Sequence, residues 1–319
     1  KQLISSPEIY QAVVHYLDWR SFGLLFSFPF LAIRSFFVGI THTKALSWSA
    51  VTAIMINIPL NYFLIFKLEL GISGAAIASS LAEMGSLIVL CIYTKAKIDK
   101  DKYGLKPVYD GRLLIKVLNL SVWSMLHAFI SVAPWFLFFV AIEHLGKTEL
   151  AISNITRSVS AIFFVIANSF AVTTGSLVSN AIGARARNEL FPICHKVLKL
   201  GYAVGIPFVV VALLCNRWIV SFYTDNELLI ELAFAPFVVM LLNYTFALPG
   251  YVYLNAVGGT GKTKITFLFQ VTTTCVYLVY LYWLSFCIKA SLSLYLTAEY
   301  LFVILLALQS IIHLKSKHY

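Results

Sequence analysis

Residues 72–93, ISGAAIASSLAEMGSLIVLCIY, form one apolar, small-residue run that stops at Thr94-Lys95-Ala96-Lys97. A helix needs about 20 mostly apolar residues to cross the hydrocarbon core of a bilayer, and it satisfies its backbone hydrogen bonds internally. A single charged residue, Glu83, sits near the middle of the run. The stretch therefore reads as a membrane span, and it poses a functional question. An ionised carboxylate at that depth costs roughly 2.5–3.5 kcal/mol or more, so it must be protonated, paired or wet.

The same pattern recurs along the chain. Nine candidate spans are legible: Val13–Ile40, Leu46–Phe66, Ile72–Tyr93, Leu113–Ile142, Leu150–Ile182, Ile193–Leu214, Leu228–Val257, Ile265–Ile288 and Leu292–Leu314. Composition agrees, with 60% hydrophobic and 12% charged residues and a mean hydropathy of +0.85. Several spans exceed the minimum length, so tilt or a break is expected. Pro29, Pro59, Pro134, Pro207, Pro236 and Pro249 fall inside spans, where each removes a helix hydrogen bond. The predicted fold class is all-α integral membrane.

The net charge of +10 does not point to nucleic acid, because the basic residues are sorted. With spans of alternating direction, one set of loops holds Lys44, the segment Lys95–Lys116, the segment Arg185–Lys199, Lys262, Lys264, Lys315 and Lys317. The other holds only Lys1, Arg20, Lys67, Lys147, Arg217 and Lys289, with the acids Glu69, Glu143, Glu149, Asp225, Glu227 and Glu231. The rich set faces the cytoplasm by the positive-inside rule and meets anionic lipid. Cys91, Cys194, Cys215, Cys275 and Cys287 are odd in number and contain no CxxC pair. They read as small apolar packing residues, not a disulfide framework or metal site.

Pro29–Lys44, PFLAIRSFFVGITHTK, and Pro249–Lys264, PGYVYLNAVGGTGKTK, both run from a proline through V-G-x-T to a basic stop. Ala82-Glu83 recurs as Ala298-Glu299 at a nearly equal distance downstream. This is an internal repeat with a period of about 219 residues. The second copy, from Leu113, has six spans and the first shows three. The expectation is nine of twelve helices in two six-helix lobes related by a pseudo-two-fold axis along the membrane normal, with three helices preceding Lys1. The expected organisation is residues 1–94 as the second half of one lobe, 95–112 as a basic linker and 113–319 as the other lobe.

Several motifs, in order, resemble the multidrug and toxic compound extrusion (MATE) family of cation-coupled antiporters. Residues 16–26, YLDWRSFGLLF, with FFVGITHTK at 36–44, resemble its fourth helix. Asn57-Ile58-Pro59-Leu60-Asn61-Tyr62 resembles its fifth, LGISGAAIA at 70–78 the start of its sixth, and GSLVSNAIGA at 175–184 the end of its eighth. The resemblance implies two lobes forming a V around a cleft that opens alternately to each side. It implies export of amphipathic organic cations against inward protons or sodium, in a multi-pass protein of the bacterial inner membrane. A monomer without cofactor is expected. Two competing readings are a lipid-linked saccharide flippase of related architecture and a truncated, inactive transporter. A flippase cleft needs strong positive charge for pyrophosphate, and the sequence offers only Arg34 and Arg157 within spans. No HExxH, GxSxG or other catalytic constellation occurs, so an enzyme is not expected.

The polar residues inside spans are the candidate sites. Glu83 and Glu299 are either proton carriers, since a carboxyl taken out of water holds its proton more tightly, or structural ion pairs. Arg157 lies at a depth close to that of Glu299, and a buried pair between them is expected. Arg34 is nearer its span end and can snorkel. Asn57 and Asn61 share one helix face. They are candidates for substrate contact or interhelical hydrogen bonding, as Asn255 is for the cleft or a polar network. The sodium-coupled branch of the family carries acids at positions that align near Ser131 and Ala247. Neither is acidic here, which favours protons. His127, one turn before Ser131, is a further titratable candidate; the alternative is a hydrogen-bonded core histidine. Trp123, Trp135, Phe163, Phe164, Tyr244, Tyr251 and Tyr253 can stack on organic cations or simply pack. Ala256–Thr263, AVGGTGKT, matches a loose phosphate-loop pattern, but that chemistry needs a strand before the loop and a soluble helix after it, and membrane spans flank it here.

Overall fold

The computed structural model describes residues 7–99, 101–105, 109–143, 145–288 and 290–316. Lys1, Lys100, Lys106, Lys289 and Lys317, together with the side chains of Lys147 and Cys287, lie outside the described residues. The elements are α1 (Pro7–Gly39), α2 (Thr43–Tyr62), α3 (Gly71–Lys97), α4 (Gly111–Glu143), α5 (Lys147–Gly183), α6 (Leu190–Leu214), α7 (Asn216–Ser221), α8 (Glu227–Leu242), α9 (Tyr244–Gly259), α10 (Thr263–Trp283) and α11 (Leu292–Ser316). Among the described residues nine segments are long and apolar enough to cross a membrane, from Gln11–Gly39 to Leu292–Ser316. Each matches a span read from the sequence within a few residues.

The chain divides into two compact units, Lys1–Tyr109 and Asp110–Tyr319. In the first, α3 is the central element, packed by α1 on one side and α2 on the other. Its buried face is built from Gly74, Ala76, Ala78, Ser80, Ala82, Ser86 and Leu90. Small residues let helix backbones approach where lipid supplies no hydrophobic drive to associate. At that closeness Ser49 Oγ donates to Ser86 O (3.4 Å) and Ser86 Oγ to Ser49 O (3.1 Å), a reciprocal clasp between α2 and α3.

The second unit holds one continuous core running from Phe138 to Leu314. The span read as Leu228–Val257 is interrupted at Asn243, between α8 and α9. The interruption falls between Pro236 and Pro249 and at neither proline. Pro249 has no N–H to offer the carbonyl of Thr245 one turn earlier; Tyr202 Oη donates to that oxygen instead, at 2.7 Å. The helix hydrogen bond lost at Pro249 is thus replaced by one from a neighbouring helix. Tyr244, just beyond the break, lays its ring across α6 and donates its hydroxyl to Gly201 O at 2.8 Å. A Cβ on Gly205 would fall inside that ring.

The internal repeat is visible in backbone detail. Thr41 and Gly261, equivalent by the alignment of Pro29 with Pro249, both adopt left-handed φ, +58° and +83°. Only the glycine does so without steric cost. The residue after each, His42 and Lys262, is the N-cap of the next helix. Those helices, α2 and α10, each end in a π-helical turn, Phe63–Lys67 and Leu284–Ile288. Ala256–Thr263 runs from the end of α9 into the start of α10, and among the described residues no strand precedes it.

Candidate functional site

The second unit contains a cavity of about 380 Å³, lined by α4, α5, α8, α9, α11 and the Asn243 break. That volume lies within the range of small-molecule sites, about 300–1,000 Å³. The walls are largely aromatic, with Trp135, Phe163, Phe164, Tyr244, Tyr251 and Phe302 facing it. Phe164 and Tyr251 meet edge to face, with ring centroids 5.6 Å apart. Among the described residues, Arg157 and Glu299 bring charge to the wall.

Arg157 Nη2 donates to Glu299 Oε1, so the pair expected from their depths is present. The Arg157 side chain is 6% exposed and that of Glu299 16%. Tyr277 Oη also donates to Oε1, at 3.4 Å. The guanidinium carbon lies 4.0 Å from the centroid of Phe138, 5.2 Å from Phe139 and 5.9 Å from Trp135. These distances are within the reach of cation–π attraction, which is largest where water is excluded.

Ser131 and Ala247, the positions aligned with the acids of the sodium-coupled branch, both line this cavity. The carboxylate of the site comes from α11 instead. Of the seven aromatics singled out from sequence, Trp135, Phe163, Phe164, Tyr244 and Tyr251 reach the wall. Trp123 lies elsewhere, under Lys264 Nζ at 5.2 Å and beside Phe267. Tyr253 is buried against Phe191.

Glu83 has a partner that the sequence reading misplaces. Arg20, expected in an outer loop, lies within α1. It grips Glu83 with both terminal nitrogens, Nη1 to Oε2 at 2.9 Å and Nη2 to Oε1 at 2.5 Å. Ser27 Oγ adds a hydrogen bond to Oε2. Arg20 and Ser27 are seven apart and so share a helix face. That spacing, with an acid in a nearby span, is the signal available in the sequence. Arg20→Met is expected to destabilise the protein by about 1–3 kcal/mol, because it strands a carboxylate in a span. Adding Glu83→Gln should recover most of the loss. Thermal unfolding of the two variants in detergent checks this; equal stability of single and double variants would show that the clasp contributes nothing.

The remaining candidates do not join either pair. Asn61 Nδ2 donates to Asn57 Oδ1 at 2.9 Å, so the two amides are joined along α2. Asn255 Nδ2 donates to Tyr251 O of its own helix at 3.0 Å, and its side chain does not line the cavity. His127 is half-buried on α4, away from the cavity wall, and among the described residues its Nε2 has no partner. Arg34 is exposed.

The MatE family model matches residues 1–63 and 124–284. Relatives include "Protein DETOXIFICATION 43" of Arabidopsis thaliana, 26% identical over 60% of this chain and 36% of that protein. Another is "Probable multidrug resistance protein NorM" of Rhodopseudomonas palustris, 26% identical over 80% of this chain and 56% of that protein. The chain thus spans about one third to one half of the curated relatives it matches. Among solved structures, the Vibrio cholerae MATE transporter VcmN in the bent form superposes with a TM-score of 0.82 at 12% identity, covering 98% of this chain and 72% of that one. A MATE in the bent conformation gives 0.80 at 15% identity, covering 99% and 71%. With its apolar spans, the MATE fold and a family match over most of its length, the chain is a multi-pass membrane protein belonging to the MATE family.

Proposed function

We propose that the protein is a secondary active antiporter, exporting amphipathic organic cations in exchange for protons by alternating access. The observation that carries this reading is the cavity of the second unit, where aromatic walls surround the Glu299 carboxylate. Aromatic faces and a carboxylate are complementary to a flat, monovalent organic cation. A carboxyl group can also take up the exchanged proton, so one site serves both cargoes. Family membership and relatives described as multidrug resistance and detoxification proteins support the same direction. Protons are preferred to sodium because Ser131 and Ala247 supply no second carboxylate beside Glu299. A lipid-linked saccharide site would need surplus positive charge, and Arg157 on this wall is already paired.

The test is accumulation of a fluorescent organic cation in vesicles carrying the full-length protein. An acidic lumen should drive uptake, and collapsing the pH gradient should release the dye. Uptake that responds only to a sodium gradient would transfer the coupling to sodium; no uptake under either gradient would remove the antiporter reading.

A further inference from the structure

The two arginine–glutamate pairs differ in a way that bears on ligand binding. Glu83 is fully committed, each oxygen taking its own guanidinium nitrogen and Ser27 adding a bond to Oε2. Glu299 is half committed. Its Oε1 receives both Arg157 Nη2 and Tyr277 Oη. Its Oε2 has no hydrogen-bond partner among the described residues, and the side chain lies on the cavity wall. Arg157, in turn, has a second holder. Its guanidinium lies against Phe138 at 4.0 Å, with Phe139 and Trp135 beyond.

We propose that Arg157 is a tethered cation that occupies the ligand's place at Glu299 and is displaced by an entering organic cation. The pair makes the wall electrically neutral. A cation entering without displacement would put two positive charges on one carboxylate in a water-poor site, where repulsion is weakly screened. Displacement lessens that conflict, because the guanidinium moves off the carboxylate that the ligand takes. The guanidinium gives up Oε1 and keeps the ring of Phe138, so it is not left bare. A planar guanidinium suits this double role because it both bonds carboxylate and stacks on rings, whereas an ammonium is a compact, strongly hydrated charge. Arg157 then sets selectivity: only a ligand that outbids it for Glu299 binds well. The chemistry of the expected ligand rests on the antiporter reading; the displacement itself is tested by binding alone.

The experiment measures fluorescence polarisation of two dyes, cationic rhodamine 6G and anionic fluorescein, with purified full-length protein in detergent. Arg157→Gln should bind rhodamine 6G at least about tenfold more tightly than wild type, since no charge-assisted bond has to be broken first. Glu299→Gln should lose rhodamine 6G binding and gain fluorescein binding, because Arg157 becomes the unopposed charge of the wall. Phe138→Leu, which keeps both charges, should weaken rhodamine 6G binding by taking away the surface onto which Arg157 retreats. Unchanged or weaker rhodamine 6G binding by a monodisperse Arg157→Gln protein would overturn the proposal. Should that variant fail to fold, unchanged binding by Phe138→Leu would do the same. Absence of rhodamine 6G binding by wild type and variants alike also overturns it. The expected dye pattern without gradient-driven uptake would sink the antiporter reading and spare the displacement. Uptake without the pattern would do the reverse.

Discussion

Glu299→Gln is expected to reduce pH-driven cation uptake to the rate of empty vesicles, while Glu83→Gln keeps most of it. The two residues occupy matching places in the internal repeat, so the sequence treats them alike. Their surroundings do not. A side chain that binds cation and proton in turn needs an oxygen that a ligand can reach. Glu299 lines a cavity and has Oε2 uncommitted among the described residues. Glu83 has both oxygens held by Arg20 and a further bond from Ser27. A glutamine at position 299 keeps the size and some hydrogen bonding but cannot carry the exchanged proton. A glutamine at position 83 loses part of a clasp, and its effect should appear as lower stability. Uptake by purified, monodisperse variants, with unfolding midpoints measured on the same samples, separates the two. Loss of uptake in Glu83→Gln with normal uptake in Glu299→Gln would reverse the assignment.

The largest expected effect on stability is that of Gly259→Val. A Cβ at position 259 would run into the carbonyl oxygen of Gly175, so backbone meets backbone where α9 crosses α5. Gly175 in turn leaves only 3.2 Å between its own Cβ position and Asn255 O. Ser179 Oγ donates to Gly259 O at 2.7 Å and fixes the same crossing. On its other side α9 meets α11, where a Cβ on Gly250 would lie 2.7 Å from Val303 O. Long side chains can swing away from a new methyl group, but a helix backbone cannot. The helices must therefore separate, and overpacking of this kind costs about 1–3 kcal/mol or more. Because α9 also carries Ala247 and Tyr251 of the cavity wall, the variant should lose dye binding along with stability. Gly183→Ala is the control, with nothing within 4 Å of its added Cβ. A normal unfolding midpoint for Gly259→Val would show that α9 and α5 do not meet backbone to backbone at this crossing.

The spans are legible in the sequence because membrane helices announce themselves by length and hydropathy, and the repeat because its turns reuse the same backbone. Thr41 and Gly261 show the second point: the residue types differ but the left-handed φ is kept. The Arg157–Glu299 pair is legible from depth alone, since two opposite charges inside lipid must find each other. Arg20 is easily misplaced because, near the start of a span, a charge read without its partner looks like a loop residue. The cavity itself is not legible. It arises from the break at Asn243 and from glycines that let α9 approach its neighbours, and both depend on tertiary packing. For the same reason Asn255 and His127 look like site residues in the sequence, although neither side chain lines the cavity.

The most direct test is to locate a bound cation. Crystals of the protein soaked with tetraphenylarsonium, recorded at the arsenic absorption edge, should show an anomalous peak beside the Glu299 carboxylate, among Trp135, Phe164 and Tyr251, with Arg157 drawn back onto Phe138. A peak away from the second unit's cavity, or one beside Glu299 with the Arg157–Glu299 bond intact, would contradict the account.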